Sequence, residues 1–181
     1  MTDPTDQELS APPKITRRQA LAVGGLVAAA GAAGLGIRVA SWWDQPAEEG
    51  FLCLSSREAE LVDSLAEALF PPGGTPALSG ADAGISRYFD WVVDSIPPPT
   101  QHLLRSFLHA LDDTARITRL SSYASLPLDE RTELLGDWAQ SPHYLFRSSV
   151  SSLVLFLSMG YCGHPEVRDA CGWVFPCGYG R

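Results

Sequence analysis

From residue 55 onward, prolines divide this chain into short segments whose apolar residues recur every three or four positions. This spacing places the apolar residues on one face of an α-helix, and a proline ends a helix because it lacks the N–H donor and clashes with the preceding turn. The first segments stop at Pro71-Pro72 and at Pro97-Pro98-Pro99. No segment alternates with period two for long enough to predict a strand. The sequence therefore predicts an all-α fold, a small bundle of about five helices with a loop-rich C-terminus.

Individual residues refine these helices. Ser55 and Glu58 have the spacing of a capping box and predict the start of the first helix. The second helix is expected from near Asp82 and the third from about Thr100, while a fourth carries Leu134, Leu135 and Trp138. Trp91 falls off the apolar face of the second helix, so we expect it to point outward, toward a partner.

The fifth helix is the most apolar, running from Leu145 to Met159 and closing at Gly160. Ser141 and Pro142 are predicted as its N-cap and first residue. A helix that is apolar on most sides is normally central, which is the expectation here. The alternative is a second membrane span, although the segment is short and contains several serines.

The N-terminus has the order of parts of an export signal. Arg17 and Arg18 directly precede an uncharged run, residues 20–37, that is rich in Ala and Gly and therefore only weakly hydrophobic. A polar segment, an arginine pair and a moderately apolar stretch indicate a twin-arginine signal. The alternative is an N-terminal membrane helix that the arginines hold on the cytoplasmic side.

The sequence does not determine whether this signal is cleaved or retained as an anchor. No clean cleavage site follows Ile37, and Trp42 and Trp43 have the character of residues at a membrane interface. We expect residues 1–40 to form the signal or a retained anchor, residues 41–50 a linker, and residues 51–181 the folded domain. The expected location is the periplasm or the outer face of the cytoplasmic membrane.

Charge excludes nucleic acid as a partner. The chain of 181 residues contains 13 basic and 21 acidic residues, a formal net charge of −8. Binding to phosphates needs a basic surface that this chain lacks. The acidic excess is concentrated in the folded part, since 9 basic and 18 acidic residues lie after residue 40.

Cysteines provide the sharpest candidate site. Cys162, Cys171 and Cys177 lie close together near the C-terminus, and Cys53 lies far upstream. In an exported protein these four residues predict one or two disulfides, with the pairing undetermined. Free buried thiols are one alternative. A metal site of Cys162, His164, Cys171 and Cys177 is the other, although the sequence lacks the CxxC spacing typical of such sites.

The remaining polar residues do not form a catalytic set. His102 and His109 lie seven residues apart on the third helix, but no neighbouring sequence motif supplies a metal ligand or a catalytic partner, so both are expected at exposed positions. No phosphate-binding glycine loop is present either. We therefore predict no catalytic residue and no cofactor bound by this chain.

The order of the motifs resembles the small subunit of the gluconate 2-dehydrogenase type, also called subunit 3 or the gamma subunit. The resemblance covers about residues 52–175 and follows the signal at Arg17-Arg18. It rests on five motifs, namely LSSRE at 54–58, LAEALFPP at 65–72, GISRYFD at 84–90, LPLDER at 126–131 and MGYCGHPEV at 159–167. The segment from Cys171 to Cys177 departs from the pattern expected of this family, which puts a direct transfer of partner identity in doubt.

The resemblance implies a non-catalytic accessory subunit. Its implied partner is a catalytic subunit of the glucose-methanol-choline type that carries FAD and crosses the membrane with the small subunit through the twin-arginine translocase. A cytochrome c subunit is a further implied partner. The alternative function is an exported electron-transfer or metal-binding helical protein that uses the C-terminal Cys/His cluster.

Overall fold

A computed structural model describes residues 45–172 of the chain. Within these residues the structure is helical and contains no strand, which confirms the all-α prediction. The predicted signal at residues 1–40 and the first four residues of the predicted linker, 41–44, lie outside the described residues. The helices are α1 (Ser56–Leu69), α2 (Ile85–Asp94), α3 (Pro98–Arg119), α4 (Leu128–Ala139), α5 (Tyr144–Gly163) and α6 (Pro165–Ala170), with a short 3-10 helix at Tyr123–Ser125.

Helix α1 is the centre of the bundle. The predicted capping box forms at its start, where the Ser55 N–H donates to Glu58 Oε2 at 2.9 Å. Val62, Leu65 and Ala66 are completely buried, and the helix packs against α2, α3 and α4. Eight of its fourteen residues are buried, so α1 supplies more of the core than its one-sided apolar pattern predicted.

The proline cluster at 97–99 both separates two helices and starts one. Helix α2 ends at Asp94, before the cluster, as the sequence predicts. Helix α3 begins at Pro98, earlier than the predicted start at about Thr100. The first turn of a helix tolerates proline because its N–H groups have no partner within the helix.

The start of α5 differs from the prediction. His143, not Ser141, is the N-cap, and the helix begins at Tyr144 rather than Pro142. The Ser141 hydroxyl instead accepts from the His143 N–H at 3.3 Å, within the connection from α4. The chain after Gly163 was predicted as loop but contains α6, which begins at Pro165 and buries Val167.

Helix α5 is not central, contrary to the expectation from its composition. Only Val150, Leu153, Leu157 and Tyr161 of its twenty residues are buried. These four residues form one line along the helix and pack it mainly against α2 and α4. Much of the remaining surface is exposed, so this most apolar helix lies at the edge of the bundle.

Candidate functional site

A buried carboxylate joins α1 to α3. Arg105 donates from Nε to Glu58 Oε1 at 2.8 Å and from Nη2 to Oε2 at 3.0 Å. His109 Nε2 lies 3.0 Å from Glu58 Oε1. Burial by itself would raise the pKa of Glu58, but the bonds from His109, Arg105 and Ser55 lower it to about 2. Glu58 is therefore ionised at neutral pH and saturated with donors, which suits a structural anchor rather than a proton-transfer group.

His109 corrects the expectation that both histidines of α3 are exposed. Its side chain is buried against Glu58, whereas His102 is exposed. The carboxylate partner lies 51 residues earlier in the chain. No local sequence motif indicates a hydrogen-bond partner that far away in the chain.

A second buried carboxylate fastens the C-terminal half of α3. Asp112 accepts from Arg57, from Arg116 Nε at 3.0 Å and from the Tyr123 N–H at 2.9 Å. Burial opposes ionisation, yet these donors lower the pKa of Asp112. Asp112 thus ties α1, α3 and the 3-10 helix together through one side chain.

Asp90 holds the chain that leads into α1. Its carboxylate accepts from the backbone N–H groups of Leu52 at 2.6 Å, Cys53 at 3.0 Å and Leu54 at 2.9 Å. The Cys53 thiol also donates to Asp90 Oδ1 at 3.3 Å. Burial and the neighbouring Asp90 raise the pKa of Cys53 to about 12. Cys53 is a protonated thiol at neutral pH.

The other cysteines of the predicted cluster lie at the end of the bundle. Cys162 is in the last turn of α5, His164 links α5 to α6, and Cys171 follows α6. Among the described residues, Cys53, Cys162 and Cys171 form no disulfide with one another. Cys177 lies outside the described residues, so the predicted disulfide stays a prediction. Within residues 45–172, no group of three or more His, Cys, Asp or Glu side chains is arranged to hold a metal ion.

The most distinctive surface is the exposed side of α5. Leu155 is 60% exposed and Met159 53%. No charged residue occurs from Ser148 to Gly163, although the chain as a whole is acidic. By length and composition α5 also qualifies as a membrane span, the one helix of the described residues that does.

An uncharged groove of about 220 Å³ lies beside this surface, between α2, α3 and α5. It is lined by Val92, Ile96, Thr100, Leu103, Leu104, Phe107, Ser149, Ser152 and Phe156. None of these described lining residues is ionisable. Burying apolar surface is the main favourable contribution to protein association, so a groove of this composition can bind an apolar segment.

Two apolar side chains of the helices around the groove are strongly exposed. Leu103 is 70% exposed on α3, and Trp91 is 58% exposed on α2. The outward position of Trp91 was expected from the sequence, and the structure confirms it. We call the groove lining together with Trp91, Leu155 and Met159 the apolar face. Contiguous exposed apolar patches mark interaction sites in soluble proteins.

Sequence reasoning missed most of the apolar face. Leu155 and Met159 were expected in a central helix, and no sequence feature singled out Leu103. The charge-free run from Ser148 to Gly163 was the available signal, but a buried helix has the same pattern. The groove cannot be predicted from any one segment of the sequence, because residues from three different segments form it.

By contrast, a second groove beside α1 is acidic. Its lining includes Glu48, Glu60, Asp63 and Glu67. Burial raises the pKa of Asp63. The described domain therefore presents two chemically different surfaces, one acidic and one uncharged and apolar.

Comparison with known proteins identifies one family. The family described as gluconate 2-dehydrogenase subunit 3 matches residues 56–175, which is 120 of the 181 residues. The match includes all six helices of the described residues and confirms the resemblance drawn from the sequence motifs. No curated protein and no solved structure gives a significant match.

Proposed function

We propose, from the premise that this chain belongs to the gluconate 2-dehydrogenase subunit 3 family, that it is the non-catalytic small subunit of an FAD-dependent sugar or alcohol dehydrogenase. In this role it supports folding of the catalytic flavoprotein and its export through the twin-arginine translocase. The complex acts in the periplasm, at the outer face of the cytoplasmic membrane.

The observation that carries the proposal is the apolar face. A subunit needs a surface that is complementary to its partner, and helix α5 buries only four of its twenty residues within the domain. Leaving such apolar side chains in water is unfavourable unless a partner covers them. The family name itself describes a subunit of a dehydrogenase.

The polar groups support a structural role. Each of the buried carboxylates Glu58, Asp90 and Asp112 accepts hydrogen bonds from arginines or backbone N–H groups. All three have lowered pKa values. A general base needs a pKa near the working pH, and the pKa values of these groups are displaced away from it.

The export part of the proposal rests on Arg17 and Arg18, which directly precede the uncharged run at residues 20–37. In this mechanism one signal serves two chains, because the flavoprotein folds and binds FAD before it crosses the membrane with its small subunit.

The test replaces Arg17 and Arg18 by lysine in the full chain and follows both proteins by cell fractionation. We expect the double variant and the flavoprotein to remain together in the cytoplasm. Export of the flavoprotein despite the double replacement would disprove the carrier role. A second measurement is dehydrogenase activity of the purified chain alone, which we expect to be absent, whereas the copurified complex is active.

A further inference from the structure

The groove of the apolar face has the shape and chemistry of a helix-binding site. Two walls are helical, since Leu103 and Phe107 project from α3 and Ser152 and Phe156 from α5, each pair one turn apart. Apolar side chains of a docking helix recur at the same spacing. Ser149 and Ser152 are small, which allows the backbone of a bound helix to come close to α5.

Its charge pattern restricts what can bind. The described lining has no ionisable residue, and Leu155 and Met159 continue the uncharged surface along α5. A charged side chain placed there would lose its hydration without gaining a partner. The complementary segment is therefore uncharged on its contacting side.

We infer that the groove binds an amphipathic helix of the catalytic flavoprotein, whose apolar side inserts between α3 and α5 and covers Leu155 and Met159. This inference rests on the proposed function, because it takes the catalytic subunit as the partner. It adds the surface that makes the contact and the kind of segment that the partner supplies.

A second copy of this chain fits the face less well. A two-fold symmetric contact places the same surface on both sides. If the two-fold axis passes through the groove, the groove faces another groove and both cavities remain unfilled. A convex segment from a different protein fills the groove directly.

A lipid surface also fits less well. Helices that lie on membranes usually carry Lys and Arg on their polar side, where they attract anionic lipids. Arg147 is the only basic residue of α5, and the whole chain has a net charge of −8. The charge of this protein opposes adsorption to an anionic membrane.

The experiment compares three variants of the tagged full chain, produced in cells together with the flavoprotein: Leu103→Glu, Leu155→Glu and Ile117→Glu. Ile117 is the matched control. Like Leu103 it is a branched apolar residue exposed on α3 (79%), but it does not line the groove. The measured quantity is bound flavin per tagged chain after purification, and thermal unfolding of each variant checks that it is folded.

We expect the wild type and Ile117→Glu to retain flavin equally, and Leu103→Glu and Leu155→Glu to retain at least about tenfold less, as for residues at the centre of an interface. Equal retention by all three variants would overturn the inference while leaving the proposed function intact. If the wild type itself copurifies without a flavoprotein, the proposed function fails and the inference fails with it.

A crosslinking measurement identifies the occupant. The photoreactive residue p-benzoylphenylalanine is introduced in place of Leu103 or, as the control, in place of Ile117. We expect crosslinking from position 103 to an apolar helical segment of the flavin-containing chain, and none to that segment from position 117. A product joining two copies of this chain, or attachment to lipid, would contradict the inference.

Discussion

Glu58 and Arg105 form a two-point contact between α1 and α3, with Nε–Oε1 and Nη2–Oε2 distances of 2.8 and 3.0 Å. The Glu58 side chain is 1% exposed and that of Arg105 13%. A paired charge at this depth adds modestly to stability, but removal of one partner leaves the other charge buried without compensation. The pair therefore fixes the position of α3, the helix that carries Leu103 and Phe107 to the groove.

Replacement of Glu58 by glutamine should destabilise the domain strongly. We expect a loss of about 3 kcal/mol in the free energy of unfolding, because the Arg105 guanidinium loses the buried carboxylate that accepts two of its hydrogen bonds. Denaturant titration measures the change. Glu133→Gln is the matched control, since Glu133 pairs with Arg119 but is 63% exposed, and its loss should stay below about 1 kcal/mol. Similar losses in both variants would contradict the structural role of Glu58.

Acid should destabilise the domain through the same carboxylate. The pKa of Glu58 falls from 4.5 to about 2 on folding, so its contribution is complete above the unfolded-state value and is lost as the pH decreases toward the folded-state value. We expect the free energy of unfolding to decrease between about pH 5 and pH 2. The Glu58→Gln variant should show a shallower decrease over that range. Parallel pH profiles for the wild type and the variant would show that Glu58 does not cause the loss of stability in acid.

Two helical glycines should respond in opposite ways to alanine. A Cβ atom at Gly160 of α5 would lie 2.6 Å from Tyr88 Cδ1 of α2, whereas one at Gly136 of α4 would meet nothing within 4 Å. We expect Gly160→Ala to destabilise the domain by about 1–3 kcal/mol through overpacking. Gly136→Ala should stabilise it by up to about 1 kcal/mol through helix propensity. Thermal unfolding of both variants is the measurement, and stabilisation by Gly160→Ala would show that α2 and α5 are not in close contact.

Cys53 should react slowly with thiol reagents. Its pKa is raised to about 12 by burial and by Asp90, and the thiolate is the reactive form. In reduced protein at neutral pH we expect alkylation of the exposed Cys171 well before that of Cys53, as followed by peptide mass spectrometry. Unfolding in denaturant should remove the difference. Comparable rates in the native protein would contradict the Asp90 contact.

The sequence by itself determined helices α1 to α5 to within a few residues, although not α6. Apolar periodicity places residues on one side of a segment through local backbone geometry, and prolines at 71–72 and 97–99 interrupt that geometry locally. The capping box of Ser55 and Glu58 is equally local, and it forms as predicted. Five motifs in order were sufficient for the family, because each has its own short pattern.

The tertiary structure alone decided how these helices meet. His109 finds its carboxylate partner 51 residues away, and neither residue's neighbours indicate the contact. The sequence of α5 is apolar on most sides, so its pattern does not specify which side is buried. Packing against α2 and α4 buries the side that carries Val150 and Leu157 and leaves Leu155 in solvent. The groove exists only because α2, α3 and α5 come together. Contacts between distant segments depend on the summed free energy of the whole packing, which no local pattern contains.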